Sequence, residues 1–485
     1  MASPQSAPLP DGLVAVVHKD CPTCVLVAPV LAAMAERVGI TVVTQDDPDF
    51  PDFPQAAPWV VHDEDLAMSW HNRIETVPTL LRVDNGTETD RIVGWSRRQW
   101  EEFSGLDDLG GGLPDFRPGC GSLSVDPNLS DELAVRFSGS ILKSRRIELA
   151  SLEDDIEAMF DRGFTDGMPV VPPTEARVLR MLEGTSRAPD EIVAVVPPDL
   201  VECSVEKVAV NAVMAGCRPE YLPVVLTAVA AACTDEFNMH GLLATTMPVG
   251  PILIVNGPIR AELAMNSGAN LLGQGNRANS TIGRALQLVV RNVGGGRPGG
   301  VDRATQGSPS KIGLCFAEDE EGSAFDTYAE SRGFDRSAST VTLFPGEGPR
   351  LMFDQKSRSA ESLTKHFAEM LRVNVSPRMV MQMETVIVMS PEHMARYRDA
   401  GWDRARFLAE LEAQLMVAGD DIVAGADGIE EGMPTLVAGR QLPKFPPGGI
   451  HVVHGGSRAG LFSTTIAGWV TGATGSVTVT KEITR

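Results

Sequence analysis

Leu13 to Val17 is an apolar, valine-rich run of strand length that passes through the polar turn His18-Lys19-Asp20 into Cys21-Pro22-Thr23-Cys24. The residues from Cys24 to Glu36 read as a helix, with Val25, Leu26, Ala28, Leu31, Ala32 and Met34 at helical spacing and Gly39 as a stop signal. Few architectures accept this order, because a strand must end where a helix begins, with a close pair of cysteines at the junction. A sulfur just ahead of a helix meets free N–H groups and the positive end of the helix dipole, which favour thiolate over thiol. Cys21 is therefore the expected attacking thiolate and Cys24, deeper in the helix, the thiol that resolves a mixed disulfide. The same spacing also suits half of a zinc site. A structural zinc would want a second ligand pair, and the chain has no other Cys-x-x-Cys, with Cys120 standing alone.

The segment Cys21-Pro22-Thr23-Cys24-Val25-Leu26-Val27-Ala28-Pro29 resembles the active-site helix of thioredoxins, including the proline five residues after the second cysteine. Val77-Pro78-Thr79-Leu80-Leu81 resembles that family's cis-proline strand, and Asn85-Gly86 followed by Val93-Gly94 resembles its hairpin turn and next strand. The resemblance covers about residues 10 to 105. It implies a thioredoxin-like α/β domain in which Pro78 lies against the active sulfurs and helps present the substrate chain. Two positions depart from the family pattern: Ala15 stands where a buried acid is usual, and Asp20 replaces the tryptophan before the first cysteine. Proton transfer and reduction potential are the properties those departures touch. His18 is either a cationic neighbour of Cys21 or a solvated turn residue. The stretch from Asp46 through Trp59 is longer than in compact thioredoxins, and Phe50 to Trp59 is a candidate docking surface.

At 485 residues the chain exceeds what one hydrophobic core usually supports, so two or three domains are expected. A net charge of −22 opposes binding to nucleic acid or to an anionic membrane surface, and no local basic patch offsets it. The N-terminus lacks the basic and apolar regions of a signal peptide, and the longest apolar run, Leu222 to Cys233, is too short to span a bilayer. Seven cysteines are too few for a disulfide scaffold. These features together lead us to expect a cytoplasmic protein with no metal and no cofactor.

Composition changes at Leu106 to Gly121, where Gly110-Gly111-Gly112, Pro114 and Pro118 interrupt regular structure. The expected organisation is a thioredoxin-like domain over 1–105, a Gly/Pro-rich linker over 106–148 and a large domain over 149–485, with a subdivision near 320–340. Within the linker, Cys120 between two glycines is either a shuttle thiol exchanging with Cys21 or an ordinary loop cysteine. Beyond it, apolar runs such as Ile192–Val196, Ile252–Val255, Thr385–Met389 and Ile450–Val453 alternate with longer helical segments, which predicts an α/β or α+β domain. A faint echo, Asp166-Gly167-Met168-Pro169 against Glu431-Gly432-Met433-Pro434, is compatible with two related halves. The overall arrangement resembles uncharacterised thioredoxin-fused proteins, and no enzyme family is assigned to the larger region.

Several groups there are candidate chemistry. Leu200 to Gly216 reads as a helix entered at Cys203-Ser204, which would favour a Cys203 thiolate with Glu206 or Lys207 handling protons; the alternative is a buried filler. Cys217 lies at the disfavoured end of that helix, and Cys233 and Cys315 read as core. The loop Asn266 to Ser280, leading into a helix, offers Asn276, Arg277 and Asn279 to a small anionic or polar substrate, or is simply a tight connection rich in asparagine. After the strand at Ile450, His454-Gly455-Gly456 and a helix expected from Leu461 suggest a cradle with His454 as acid/base and Ser463 facing it; His240 is a further candidate. The leading expectation is a thiol-disulfide oxidoreductase module that reduces or regulates a fused catalytic domain, through an intramolecular or protein disulfide. A non-redox lyase or hydrolase with a thiol-protecting domain, and a redox-regulated ligand-binding protein, are the alternatives.

Overall fold

The valine-rich run becomes the central strand of the first sheet, β1 (Gly12–Val17), whose last four residues are buried. The computed structural model describes all residues except 1–6, 52–58, 128, 140, 141, 148, 150–152, 426–428, 432, 433 and 485. Most of the proposed docking stretch, and Gly432-Met433 of the echo, therefore lie outside the described residues. The chain divides into two compact units, Met1–Ile141 and Leu142–Arg485, both of mixed helix and strand, giving an α/β multidomain protein. Among the described residues no helix is long and apolar enough to cross a membrane.

In the first unit, helix α1 (Pro22–Arg37) follows β1. Cys21 is its N-cap, Pro22 starts it with a fixed φ and no donor to waste, and Arg37 sits in its last turn. Strands β2 (Thr41–Thr44) and β3 (Val60–His62) add in parallel to β1; helix α2 (Ala67–His71) and the short strand β4 (Thr76–Val77) precede β5 (Thr79–Asp84) and β6 (Thr87–Val93). The sheet runs β3-β2-β1-β5-β6, with β5 and β6 antiparallel. Asn85 and Gly86 both take positive φ at the β5–β6 turn, the geometry that a two-residue hairpin needs.

Of the segment read as linker, 106–148, residues 106–141 instead belong to this unit and the remainder to the second. After β7 (Trp95–Ser96) and helix α3 (Arg97–Ser104), Leu106 and Leu109 enter the core, and strands β8 (Phe116–Arg117) and β9 (Cys120–Gly121) pair antiparallel with β7 and β4. A buried polar network then fastens the chain. The Gln45 side chain donates to Ser69 Oγ (2.7 Å) and Ser122 Oγ (2.6 Å) and accepts from Leu123 N (3.1 Å), while Ser124 Oγ donates to the Ile74 carbonyl (2.6 Å). Every member is paired inside the fold, so the network favours one placement of residues 122–124.

The second unit is built on an eight-stranded sheet whose main path is 315–317, 250–256, 340–346, 462–470, 383–389, 450–454. Its two ends repeat one pattern. Strand 250–256 is parallel to 315–317 and antiparallel to 340–346, and strand 383–389 is parallel to 450–454 and antiparallel to 462–470. Ile252, Ile254, Phe316, Phe344, Val386, Val388, Val453 and Ile466 share one cluster. The alternate residues Leu253, Val255 and Leu343 pack with the helices 205–215, 222–232 and 277–292, and Ile387, Met389 and Val452 with 360–372 and 404–414. The sheet's two ends approach each other, since Asp319 N donates to the His454 carbonyl at 2.8 Å. Leu461 starts no helix, because Phe462–Val470 is a strand rich in β-branched residues, and Cys203 lies in the strand Val201–Ser204 ahead of the helix Val205–Ala215.

Candidate functional site

Cys21 and Cys24 are both fully buried at the start of α1. The Cys24 amide donates to Cys21 Sγ at 3.3 Å, and in its thiol form Cys21 donates to the Val77 carbonyl at 3.5 Å. The Val77–Pro78 peptide is cis and places Pro78 next to that contact. The Cys24 thiol donating to Cys21 sulfur is the largest influence drawing Cys21 from 9.0 down to about 5; the Cys120 thiol and the amides of Cys24 and Thr23 add to it, against burial. Burial, and then the neighbouring Cys21, push Cys24 well above the ordinary thiol range. One sulfur is thereby a thiolate at neutral pH and the other a proton-bearing thiol.

Cys120, which the sequence placed in a linker, reaches the same spot. Its strand pairs in register with the strand before Pro78, Val77 opposite Cys120 and Thr76 opposite Gly121. Burial and the nearby Cys21 raise its thiol. Thr23 Oγ1 donates to the Pro118 carbonyl at 2.8 Å, and His18 Nε2 lies 3.2 Å from the Gly121 carbonyl. His18 is thus buried against this segment and is not the solvated turn residue of one reading, with its Nδ1 3.8 Å from Asp46 Oδ2. Ala15 is part of the core and Asp20 is exposed. Among the described residues no group of three or more His, Cys, Asp or Glu side chains is arranged to hold a metal ion.

The candidates of the second unit fare differently. Cys203 and Cys217 are buried, and burial pushes each thiol up to about 12, so the expected thiolate at Cys203 does not form; burial outweighs the pull of Lys207. Cys233 is likewise raised to about 12, and Cys315 is raised by burial. The carboxylate of Glu206 accepts from the amides of Lys143 and Ser144. Asn276 caps its helix by accepting from Asn279 N at 3.1 Å, and its amide donates to the Ala264 carbonyl. Arg277 donates to the Gly216 carbonyl at 2.9 Å, and Asn279 exchanges hydrogen bonds with the Asn266 backbone. These polar groups already serve the backbone, as a tight connection requires. Gly455 and Gly456 donate to the carbonyls of Met389 and Ser267, and without a following helix the cradle lacks a helix N-terminus. His454 Nδ1 lies 2.7 Å from the Asp319 carbonyl, while Ser463 Oγ pairs with His393 Nδ1 at 2.7 Å and not with His454. His240 is exposed on a short helix.

Glu318 and His393 escaped the sequence reading. Fully buried, Glu318 accepts from Asn256, the Tyr328 amide and the His454 amide, and burial raises it to about 7. No local pattern marks such a residue, since its partners come from two separate strands and the start of a short helix. Comparison with protein-family models, curated proteins and solved structures finds no match to this chain.

Proposed function

We propose that the first unit is a thiol-disulfide oxidoreductase of the thioredoxin type. The observation that carries the proposal is the asymmetry of Cys21 and Cys24 at one helix N-terminus: a low-pKa sulfur at the cap beside a buried, protonated one. The strand order β3-β2-β1-β5-β6 and the cis peptide at Pro78 beside Cys21 support the likeness to thioredoxins.

In the reaction, the Cys21 thiolate attacks one sulfur of a substrate disulfide, and the other substrate sulfur leaves as a thiolate. Once Cys21 is bonded, its charge no longer opposes ionisation of Cys24, so Cys24 passes its proton to the departing thiolate. Cys24 then attacks Cys21, releasing the second substrate sulfur as a thiolate, which takes its proton from water, and closing the Cys21–Cys24 disulfide. Two electrons pass from the dithiol to the substrate. Burial of Cys203 and Cys217 gives no support to either as the electron acceptor, so the proposal rests on the first unit and a disulfide supplied to it.

The test is dithiothreitol-driven reduction of a disulfide-bonded protein such as insulin. The full chain should turn over, and Cys21→Ser should fall to the rate without enzyme. Turnover retained by Cys21→Ser would overturn the proposal.

A further inference from the structure

We infer that Cys120 is a third redox thiol of this site, which closes a disulfide with Cys21 in competition with Cys24 and does so from the outer side. The inference rests on the thiol-disulfide reading of Cys21 and deepens it.

The segment Pro118–Gly121 lies across Cys21 and is held on both sides of it. Thr23, after Cys21, holds Pro118, and His18, before Cys21, holds Gly121. Between them Cys120 is registered opposite Val77, whose carbonyl is the atom that Cys21 Sγ touches. Gly119 permits the approach, since a Cβ there would fall 2.4 Å from Thr76 Cγ2 and 2.7 Å from the Val77 carbonyl oxygen. The placement is thus specific at each residue of the segment.

The three sulfurs are also graded in depth. Cys24 and Cys21 are fully buried and Cys120 is half-buried, so Cys120 is the one nearest to solvent. The backbone edge of Thr76–Val77, which an extended chain would otherwise use, is already taken by Cys120–Gly121. The chain therefore presents a cysteine of its own to Cys21 in that position.

The chemistry balances without an outside oxidant. When Cys21 carries a mixed disulfide, Cys120 loses its proton and attacks Cys21 Sγ. The bond to the substrate sulfur breaks, that sulfur leaves and takes the proton, and a Cys21–Cys120 disulfide remains. Attack by Cys24 on Cys21 converts it into Cys21–Cys24 and returns Cys120 as a thiol, so electrons move within the site with no net redox change.

The test uses full-length Cys24→Ser, in which the serine hydroxyl still donates to Cys21, loaded on Cys21 with one glutathione from oxidised glutathione. Freed of excess reagent, this variant should expel its glutathione unaided and show an intrachain Cys21–Cys120 disulfide in peptide mapping. Tethering sets an effective thiol concentration near millimolar, so added glutathione below about 1 mM should not change the rate, and neither should protein dilution. Cys24→Ser/Cys120→Ser should keep its glutathione. If both variants hold it equally, with Cys120 free to alkylation, the inference is overturned while the oxidoreductase reading stands. If neither variant accepts glutathione on Cys21, both fall.

Discussion

Gly119→Ala isolates the packing of the 118–121 segment from the chemistry of its cysteine. The added methyl would lie 2.4 Å from a β-branched side chain and 2.7 Å from a backbone carbonyl, neither of which yields easily. Overpacking of this kind costs about 1–3 kcal/mol. The side-chain hydrogen bonds from Thr23 and His18 that hold the segment contribute about 1 kcal/mol each. The two quantities are comparable, so strain should be relieved by detaching the segment, with the Gln45 network left in place. A shift of 1–3 kcal/mol raises the detached population by roughly 5- to 150-fold. Alkylation of buried Cys21 by a bulky maleimide reads that population and should accelerate by the same factor. Gly121→Ala is the control, because a Cβ there meets nothing within 4 Å, and it should alkylate as the parent does. Equal rates for Gly119→Ala and the parent would refute the described packing over Cys21.

Other expectations concern the second unit and pH. Arg284 holds Asp166 through two nitrogens at 2.8 Å in a largely buried pair, so Arg284→Ala should destabilise that unit by roughly 3–5 kcal/mol in denaturant unfolding. Asp166 is drawn below its ordinary value of 3.8, so its contribution is present at neutral pH and lost as pH falls below that range. Glu318 acts with the opposite sign. Raised from 4.5 to about 7, it keeps its proton while the unfolded chain has lost it, so stability should fall as pH rises across that window. Glu318→Gln should flatten this slope and weaken the unit, because one carboxamide oxygen replaces two acceptors serving Asn256, Tyr328 and His454. A slope unchanged in Glu318→Gln would assign the pH dependence elsewhere.

What could be read in the sequence was local. Strand, cysteine pair and helix adjoin in the chain, so their order was legible, and helix-end electrostatics gave the direction of the Cys21 shift but not its largest cause, the Cys24 thiol. Cys120 was legible as one of two things, a thiol exchanging with Cys21 or a loop cysteine, and its fixed place beside Cys21 was not, because that place depends on pairing with Val77 and on a polar network drawn from Gln45, Ser69 and Ile74. Glycine and proline around it read as looseness, whereas Gly119 and Gly94 serve close approach: a Cβ on Gly94 would lie 2.8 Å from Gly119 N. Asn276 and Arg277 carried the opposite ambiguity, since polar groups at a helix start suit a ligand and a cap equally. At Phe462–Val470 the preceding glycines suggested a helix start, and the run Thr464-Thr465-Ile466, which favours a strand, was the better guide.

The central claim is that Cys21 is a thiolate at neutral pH, and its direct measurement is the ultraviolet thiolate absorbance of the reduced protein, recorded against Cys21→Ser across pH. The structure predicts one transition with a midpoint near 5, absent from the serine variant. A midpoint near 9.0, the ordinary thiol value, would contradict it.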